Sequence, residues 1–295
     1  RIAMLGARPI AFNTVRYSEK LLQKHGISVQ TIDFSEIIFK AMHYNDAEKV
    51  VAKIKEIREY GSVPAWISDE VMEKQAKLCL VIDEAIEDLQ CDASTVQCWD
   101  SVENNYGCAT CLAMSMMGDN GKPSACESDV TGALSMLAAW LAAGTAPALM
   151  DWNNNIREER NACVSLHCSN FPKSFFQNDV EIECLDVLGS TLGKENCFGA
   201  CKGHVAAGDM TFIRLTTDDQ RGTVKAYLGE GVFRDEVIPT KGGVANCYIE
   251  NLQNLLRYVC ENGYEHHVCF VRGHVADILE EALTKYMGIP VYRHR

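Results

Sequence analysis

Between Glu127 and Asp151 the chain runs through Val130–Leu141, a stretch dense in Ala, Leu and Met at helical spacing, and a short apolar run leads into each carboxylate. That pattern predicts a strand, helix, strand unit. In a parallel sheet such a unit brings the carboxyl ends of both strands to one edge, where open α/β sheets bind ligands. Two carboxylates at that edge can hold a divalent metal or work as an acid and base pair.

The chain's 295 residues are enough for two domains with developed cores. The formal net charge of −12 disfavours nucleic acid and anionic membranes as partners and leaves small neutral or cationic ligands as the easier ones. The longest apolar stretch, Ala133–Leu149, is interrupted by Gly144, Thr145 and Pro147 and is too short to span a bilayer. Fourteen cysteines are scattered, several inside apolar segments such as Leu78-Cys79-Leu80, which suits buried thiols in a reducing, cytoplasmic compartment. Cys108-Ala109-Thr110-Cys111 has redox or zinc spacing without a second such pair, and Cys197, Cys201 and His204 lack a fourth ligand, so both read as buried thiols.

The first half alternates strand and helix patterns, as a doubly wound parallel sheet requires. Strands are expected at Ile2–Gly6, Ser28–Phe34, Thr95–Trp99 and Ser124–Glu127, and helices near Thr14–His25, Ala47–Tyr60, Asp69–Leu89, Asn105–Met117 and Val130–Leu141. From Ala162 onward, Ala162–His167, Val180–Leu188, Met210–Thr216 and Gly222–Leu228 alternate apolar and polar residues, which points to antiparallel, barrel-like sheet with helices. Asn251–Cys260 and Ala276–Met287 return to helical spacing, and His267–Val271 and Ile289–Tyr292 read as strands. The expected division is an α/β domain over residues 1–145 carrying Glu127 and a C-terminal domain over 146–295 carrying Asp151 and His267.

Glu127, Asp151, His167 and the His266-His267 pair fall at strand ends or beside turns. Carboxylates with one or two imidazoles make a mixed oxygen and nitrogen set suited to manganese, magnesium or cobalt. Capping and core roles are the alternatives for these residues. Gly6-Ala7-Arg8-Pro9 stands where a dinucleotide fingerprint would, but lacks its later glycines, so no nucleotide cofactor is expected. Gln97 and Trp99 close another strand, where an amide and an indole can face a sugar. Arg8 can face an anionic substrate or pair with a carboxylate.

At these residues the chain resembles the L-fucose isomerase-like family, aldose-ketose isomerases related in fold to L-arabinose isomerase. The resemblance lies in Cys126-Glu127-Ser128-Asp129, in Met150-Asp151-Trp152 at 24 positions' separation, and in His266-His267 before Gly273-His274-Val275 and Ile289-Pro290-Val291. It implies Glu127, Asp151 and His267 as ligands of Mn²⁺, with Mg²⁺ or Co²⁺ as alternatives, and Glu127 and Asp151 as the proton-transfer pair. It further implies Gln97, Trp99, His167 and His266 as substrate-binding residues, His167 standing where arabinose-type enzymes place a further ligand. The activity implied is interconversion of an unphosphorylated aldose and ketose of the L-fucose, D-arabinose or L-arabinose type through an ene-diol. A homo-oligomer and an additional α/β domain ahead of Arg1 are also implied. A non-catalytic sugar-binding protein, and a metal-dependent epimerase or lyase, are the rival readings.

Overall fold

The computed structural model describes residues 1–295. Its first half contains β1 (Ile2–Leu5), α1 (Glu19–Lys24), β2 (Val29–Ile32), α2 (Phe34–Met42), α3 (Ala47–Tyr60), β3 (Gly61–Ser62), α4 (Asp69–Asp88), β4 (Ala93–Val96), α5 (Ser101–Asn105), α6 (Cys111–Asp119), β5 (Ser124–Cys126) and α7 (Val130–Ala143). Four of the strands form a parallel sheet in the order β2-β1-β4-β5. Because β1 has β2 on one side and β4 on the other, the strand order reverses there, and Gly6, Asp33, Gln97 and Glu127 follow the strands at one edge.

Several boundaries differ from the sequence expectation. Helix α2 sits where a strand was extended to Phe34; Asp33 ends that strand and caps the helix, accepting from Ser35 N at 2.9 Å. The helix expected from Thr14 begins only at Glu19, since Asn13–Val15 make a single 3₁₀ turn with Val15 buried. The helix expected over Asn105–Met117 is two helices, separated at Gly107, whose φ of +88° breaks the helical path.

The second half contains β6 (Ala148–Ile156), β7 (Glu159–His167), β8 (Val180–Cys184), α8 (Asp186–Leu192), β9 (Phe198–His204), β10 (Gly208–Asp218), β11 (Thr223–Arg234), β12 (Gly243–Tyr248), α9 (Leu252–Glu261), β13 (His267–Arg272), α10 (Ala276–Glu281) and β14 (Val291–Arg293). Strands β6, β7, β12, β11, β10 and β13 close into an antiparallel barrel. Closure removes the exposed edges that an open sheet would carry. The segment expected as a strand over Val180–Leu188 leaves the sheet after Cys184 and becomes α8. Strand β3, from the first half, pairs with β8 and so joins the second sheet.

The strand, helix, strand unit that runs from Glu127 to Asp151 is present, but its two strands belong to different sheets. β5 lies in the parallel sheet, whereas β6 pairs antiparallel with β13 and β7 inside the barrel. Asp151 is therefore a mid-strand residue with His267 as its cross-strand partner, and not the end of a parallel strand. The physical reason is α7, which packs on β4 and β5 on one side and on β10 and β13 on the other. A helix apolar all round needs cover on every side, and two sheets supply it.

Side-chain alternation along the barrel strands then decides what meets α7. Met150, Val268, Phe270 and Phe212 join one core, while Leu149, Cys269, Val271 and Ile213 join the core that contains α7 residues Val130, Ala133 and Met136. Asp151 and His267 are in phase with Leu149 and Cys269, so both face the α7 side. That brings them to the N-terminus of the helix, where Glu127 and Asp129 already are.

Candidate metal centre

Glu127 and Ser128 leave β5 in the left-handed region, with φ of 63° and 55°. Such a pair of non-glycine residues costs of order 1–3 kcal/mol each and persists only where the surroundings enforce it. The turn delivers Asp129 to the cap of α7, where Oδ1 accepts from Gly132 N at 2.8 Å. Glycine is required at 132, because a Cβ there would lie 2.4 Å from Asp129 Oδ2.

Glu127 is 2% exposed, and its Oε1 accepts from Trp99 Nε1 at 3.1 Å. Its Oε2 lies 3.0 Å from His267 Nε2, which is in turn 3.5 Å from Asp151 Oδ1. Oε2 and Oδ1 thus flank Nε2, and all three atoms are buried and have no hydrogen-bond partner. Buried polar atoms left in that state cost about 1–3 kcal/mol each. A divalent cation held by these side chains would satisfy such atoms, which is the fit expected of metal ligands.

The other nitrogen of His267 is firmly held. Nδ1 is 2.8 Å from Asp129 Oδ2, so an Nδ1–H donated to that carboxylate fixes the ring with Nε2 directed toward Glu127 and Asp151. Asp129 is gripped by Arg214, with Nη1 to Oδ2 at 2.5 Å and Nη2 to Oδ1 at 3.0 Å. The same guanidinium donates from Nη2 to Thr131 Oγ1 at 2.8 Å and from Nε to Glu265 Oε2 at 3.1 Å, and Glu265 accepts from Thr216 Oγ1 at 2.5 Å. Arg214 and Asp129 are both fully buried.

The electrostatics follow from these contacts. Burial opposes the charge on Asp129, but Arg214 and His267 hold its carboxyl far below the usual range. Burial likewise opposes the charge on Glu127, and His267 with the neighbouring imidazoles of His167 and His266 outweighs it and keeps the carboxyl low. For His267, burial favours the neutral ring, yet Asp129 and Glu127 push its pKa up to about 10 in the metal-free protein.

Of the remaining sequence candidates, His167 is buried, with Nε2 3.7 Å from Glu127 Oε1 and 3.4 Å from Cys126 Sγ. His266 is half-buried, with Nε2 3.6 Å from Asp151 Oδ1 and Nδ1 3.2 Å from Thr14 Oγ1. Trp99 reaches Glu127 directly. Gln97 is engaged elsewhere: its Oε1 accepts from Ala7 N at 3.0 Å, and the residue lines a cavity of about 680 Å³ against α2. Cys197 and Cys201 are buried in separate cores, and all fourteen cysteines are free.

Sequence reasoning gave no role to Asp129, Arg214, Thr131 or Glu265. Two signals pointed to them. Asp129 stands three residues before Gly132 at the start of an apolar helix, and Arg214 interrupts the apolar run Phe212-Ile213-Arg214-Leu215, where an unpaired charge would be prohibitive.

Residues 165–295 match the family model for the L-fucose isomerase C-terminal domain. The L-fucose isomerase-like resemblance read from the three motifs is thus upheld. The curated relatives include sulfoquinovose isomerase from Priestia aryabhattai, 27% identical over 286 residues, which cover 95% of this chain and 61% of that protein. The sulfoquinovose isomerase of Alkalicoccus urumqiensis is 26% identical over 270 residues, covering 90% of this chain and 58% of its own. The chain therefore spans about three-fifths of the length of the curated relatives it matches. No helix is long and apolar enough to cross a membrane.

Proposed function

We propose that this chain carries the metal-binding and proton-transfer residues of an aldose-ketose isomerase acting on an unphosphorylated sugar. The observation that carries the reading is that Glu127 Oε2 and Asp151 Oδ1 flank His267 Nε2, three buried atoms without partners, at the junction of the two sheets. Mn²⁺ suits this donor set, with Mg²⁺ or Co²⁺ as alternatives. When bound, a divalent ion would polarise the sugar carbonyl and stabilise negative charge developing on its oxygens.

The chain's own residues have the remaining work. Isomerisation removes a proton from carbon 2 of the open-chain aldose and returns one to carbon 1, through an ene-diol. Glu127 and Asp151 lie on opposite sides of His267 Nε2, so one carboxylate can take the proton while the other serves the hydroxyl exchange. Trp99 fixes one oxygen of Glu127 and leaves the other to the site. Asp129 and Arg214 hold His267 in one orientation and cannot themselves reach the sugar, since both are sealed from solvent. His266, half-exposed beside Asp151, is placed for sugar hydroxyls.

The test is turnover by the full-length protein, stripped with chelator and resupplied with Mn²⁺. The panel is L-fucose, D-arabinose, L-arabinose and the relatives' substrate, sulfoquinovose. Ketose formation only when metal is restored is the expected result. Sugar binding without turnover on any member would favour a binding protein instead.

A further inference from the structure

We propose that Cys126, His167 and the Oε1 side of Glu127 form a second cation site, suited to a thiophilic divalent ion such as Zn²⁺, which shares Glu127 with Asp151 and His267 and arrests proton transfer when filled. The arrest rests on the isomerase reading, whereas the site itself stands on the geometry of three buried side chains.

Glu127 presents its two oxygens to different neighbours. Oε2 lies 3.0 Å from His267 Nε2, while Oε1 lies 3.1 Å from Trp99 Nε1 and 3.7 Å from His167 Nε2. The two imidazoles thus stand one at each oxygen, with their ring centres 5.5 Å apart. Cys126, the residue before Glu127, closes β5 and brings its Sγ to 3.4 Å from the same His167 nitrogen. Cys126, Glu127 and His167 each offer one ligand atom, and these atoms lie within 4.8 Å of one another. All three residues are at most 3% exposed.

Two features mark this group as a site. His167 has no hydrogen-bond partner for its ring except the Cys126 thiol, which lies 3.4 Å from Nε2 and 3.6 Å from Nδ1. A thiol is a weak partner, and a buried imidazole ordinarily has a stronger one. The separations also fit an ion. With zinc bonds of about 2.3 Å to sulfur and about 2.0 Å to nitrogen or oxygen, the edges of the ligand tetrahedron are about 3.3–3.6 Å. The sulfur to nitrogen distance of 3.4 Å and the nitrogen to oxygen distance of 3.7 Å are close to those edges. Sulfur decides which ion is taken: thiolate, imidazole and carboxylate make a zinc-type donor set, whereas Mn²⁺ and Mg²⁺ favour oxygen. Binding displaces the thiol proton to solvent. An ion held there takes Oε1 from Trp99 and draws negative charge from the carboxylate, which leaves Glu127 a weaker base for the sugar proton.

The test titrates Cd²⁺, a thiophilic probe whose thiolate complexes absorb in the ultraviolet, into the full-length protein stripped with chelator. Wild type, Cys126→Ser and His167→Gln are compared for the thiolate-to-cadmium band, a readout independent of turnover. Wild type should show a component that Cys126→Ser lacks. In His167→Gln that component should weaken in affinity by at least the roughly 10-fold that loss of an outer-shell partner costs. No band in wild type, an equal band in Cys126→Ser, or unaltered affinity in His167→Gln overturns the site, and the last comparison decides alone if Cys126→Ser does not fold. Zn²⁺ inhibition of Mn²⁺-supported turnover, each protein normalised to its own zinc-free rate, tests the arrest. The half-inhibiting concentration should rise roughly 10-fold in Cys126→Ser. An unchanged value places zinc on other ligands and overturns the arrest. If no sugar is turned over, the cadmium band still upholds or refutes the site, so the two failures are distinct.

Discussion

Asp129 Oδ2 stands 2.8 Å from His267 Nδ1, and the same oxygen is 2.5 Å from Arg214 Nη1, so one buried carboxylate orients the imidazole and is itself fixed by a guanidinium. The site is thereby built from both sheets, because Asp129 caps α7 and His267 opens β13.

Asp129→Asn should weaken Mn²⁺ binding by roughly 10- to 100-fold, the usual effect of removing the carboxylate behind a ligand histidine. Chelator competition on the purified protein measures it. Affinity equal to wild type would mean that Asp129 does not govern His267.

Arg214→Met leaves Asp129 and Glu265 buried without their counter-ion, and should cost about 3–5 kcal/mol in urea unfolding. Arg214→Lys should rescue little, since an ammonium cannot serve both carboxylates and Thr131 with one planar fork. The acid limb carries a sign. Asp129 has its folded pKa held below the unfolded one, so its contribution is complete above about pH 4 and is lost as pH falls below that value. Asp129→Asn should therefore flatten the loss of stability below pH 4.

Metal binding should release a proton. With the His267 pKa at about 10 in the metal-free protein, the ring is protonated at pH 8, and a metal taking Nε2 must displace that proton. Titration calorimetry in buffers of different ionisation enthalpy should give about one proton per ion, and none from a His267→Ala protein.

Gly132→Ala should disturb the site without touching any candidate ligand. The added Cβ meets the Asp129 carboxylate at 2.4 Å, so the cap must shift and His267 with it. Reduced Mn²⁺ affinity with helix content preserved by circular dichroism is the expected outcome.

Much of this was legible in the sequence because the informative residues carry local signals. The parallel alternation of the first half and the alternating strands of the second identify two kinds of sheet, and the motifs at Glu127, Asp151 and His267 mark the two carboxylates that flank one imidazole. Long-range pairing was not legible. Nothing in Ala148–Ile156 says that the strand joins β13 and not β5, since partner choice is set by how α7 is covered. Asp129 has no role legible in the sequence, because Arg214, 85 residues away, meets it only in the fold.

The central claim is that Glu127, Asp151 and His267 bind one divalent ion together. Diffraction from Mn²⁺-soaked crystals, recorded at the manganese absorption edge, tests it most directly. The account predicts one anomalous peak among Glu127 Oε2, Asp151 Oδ1 and His267 Nε2, absent in Glu127→Gln crystals, with that variant losing roughly 10²-fold or more in turnover while folding normally. A peak elsewhere, or an undiminished peak and normal turnover in Glu127→Gln, would contradict it.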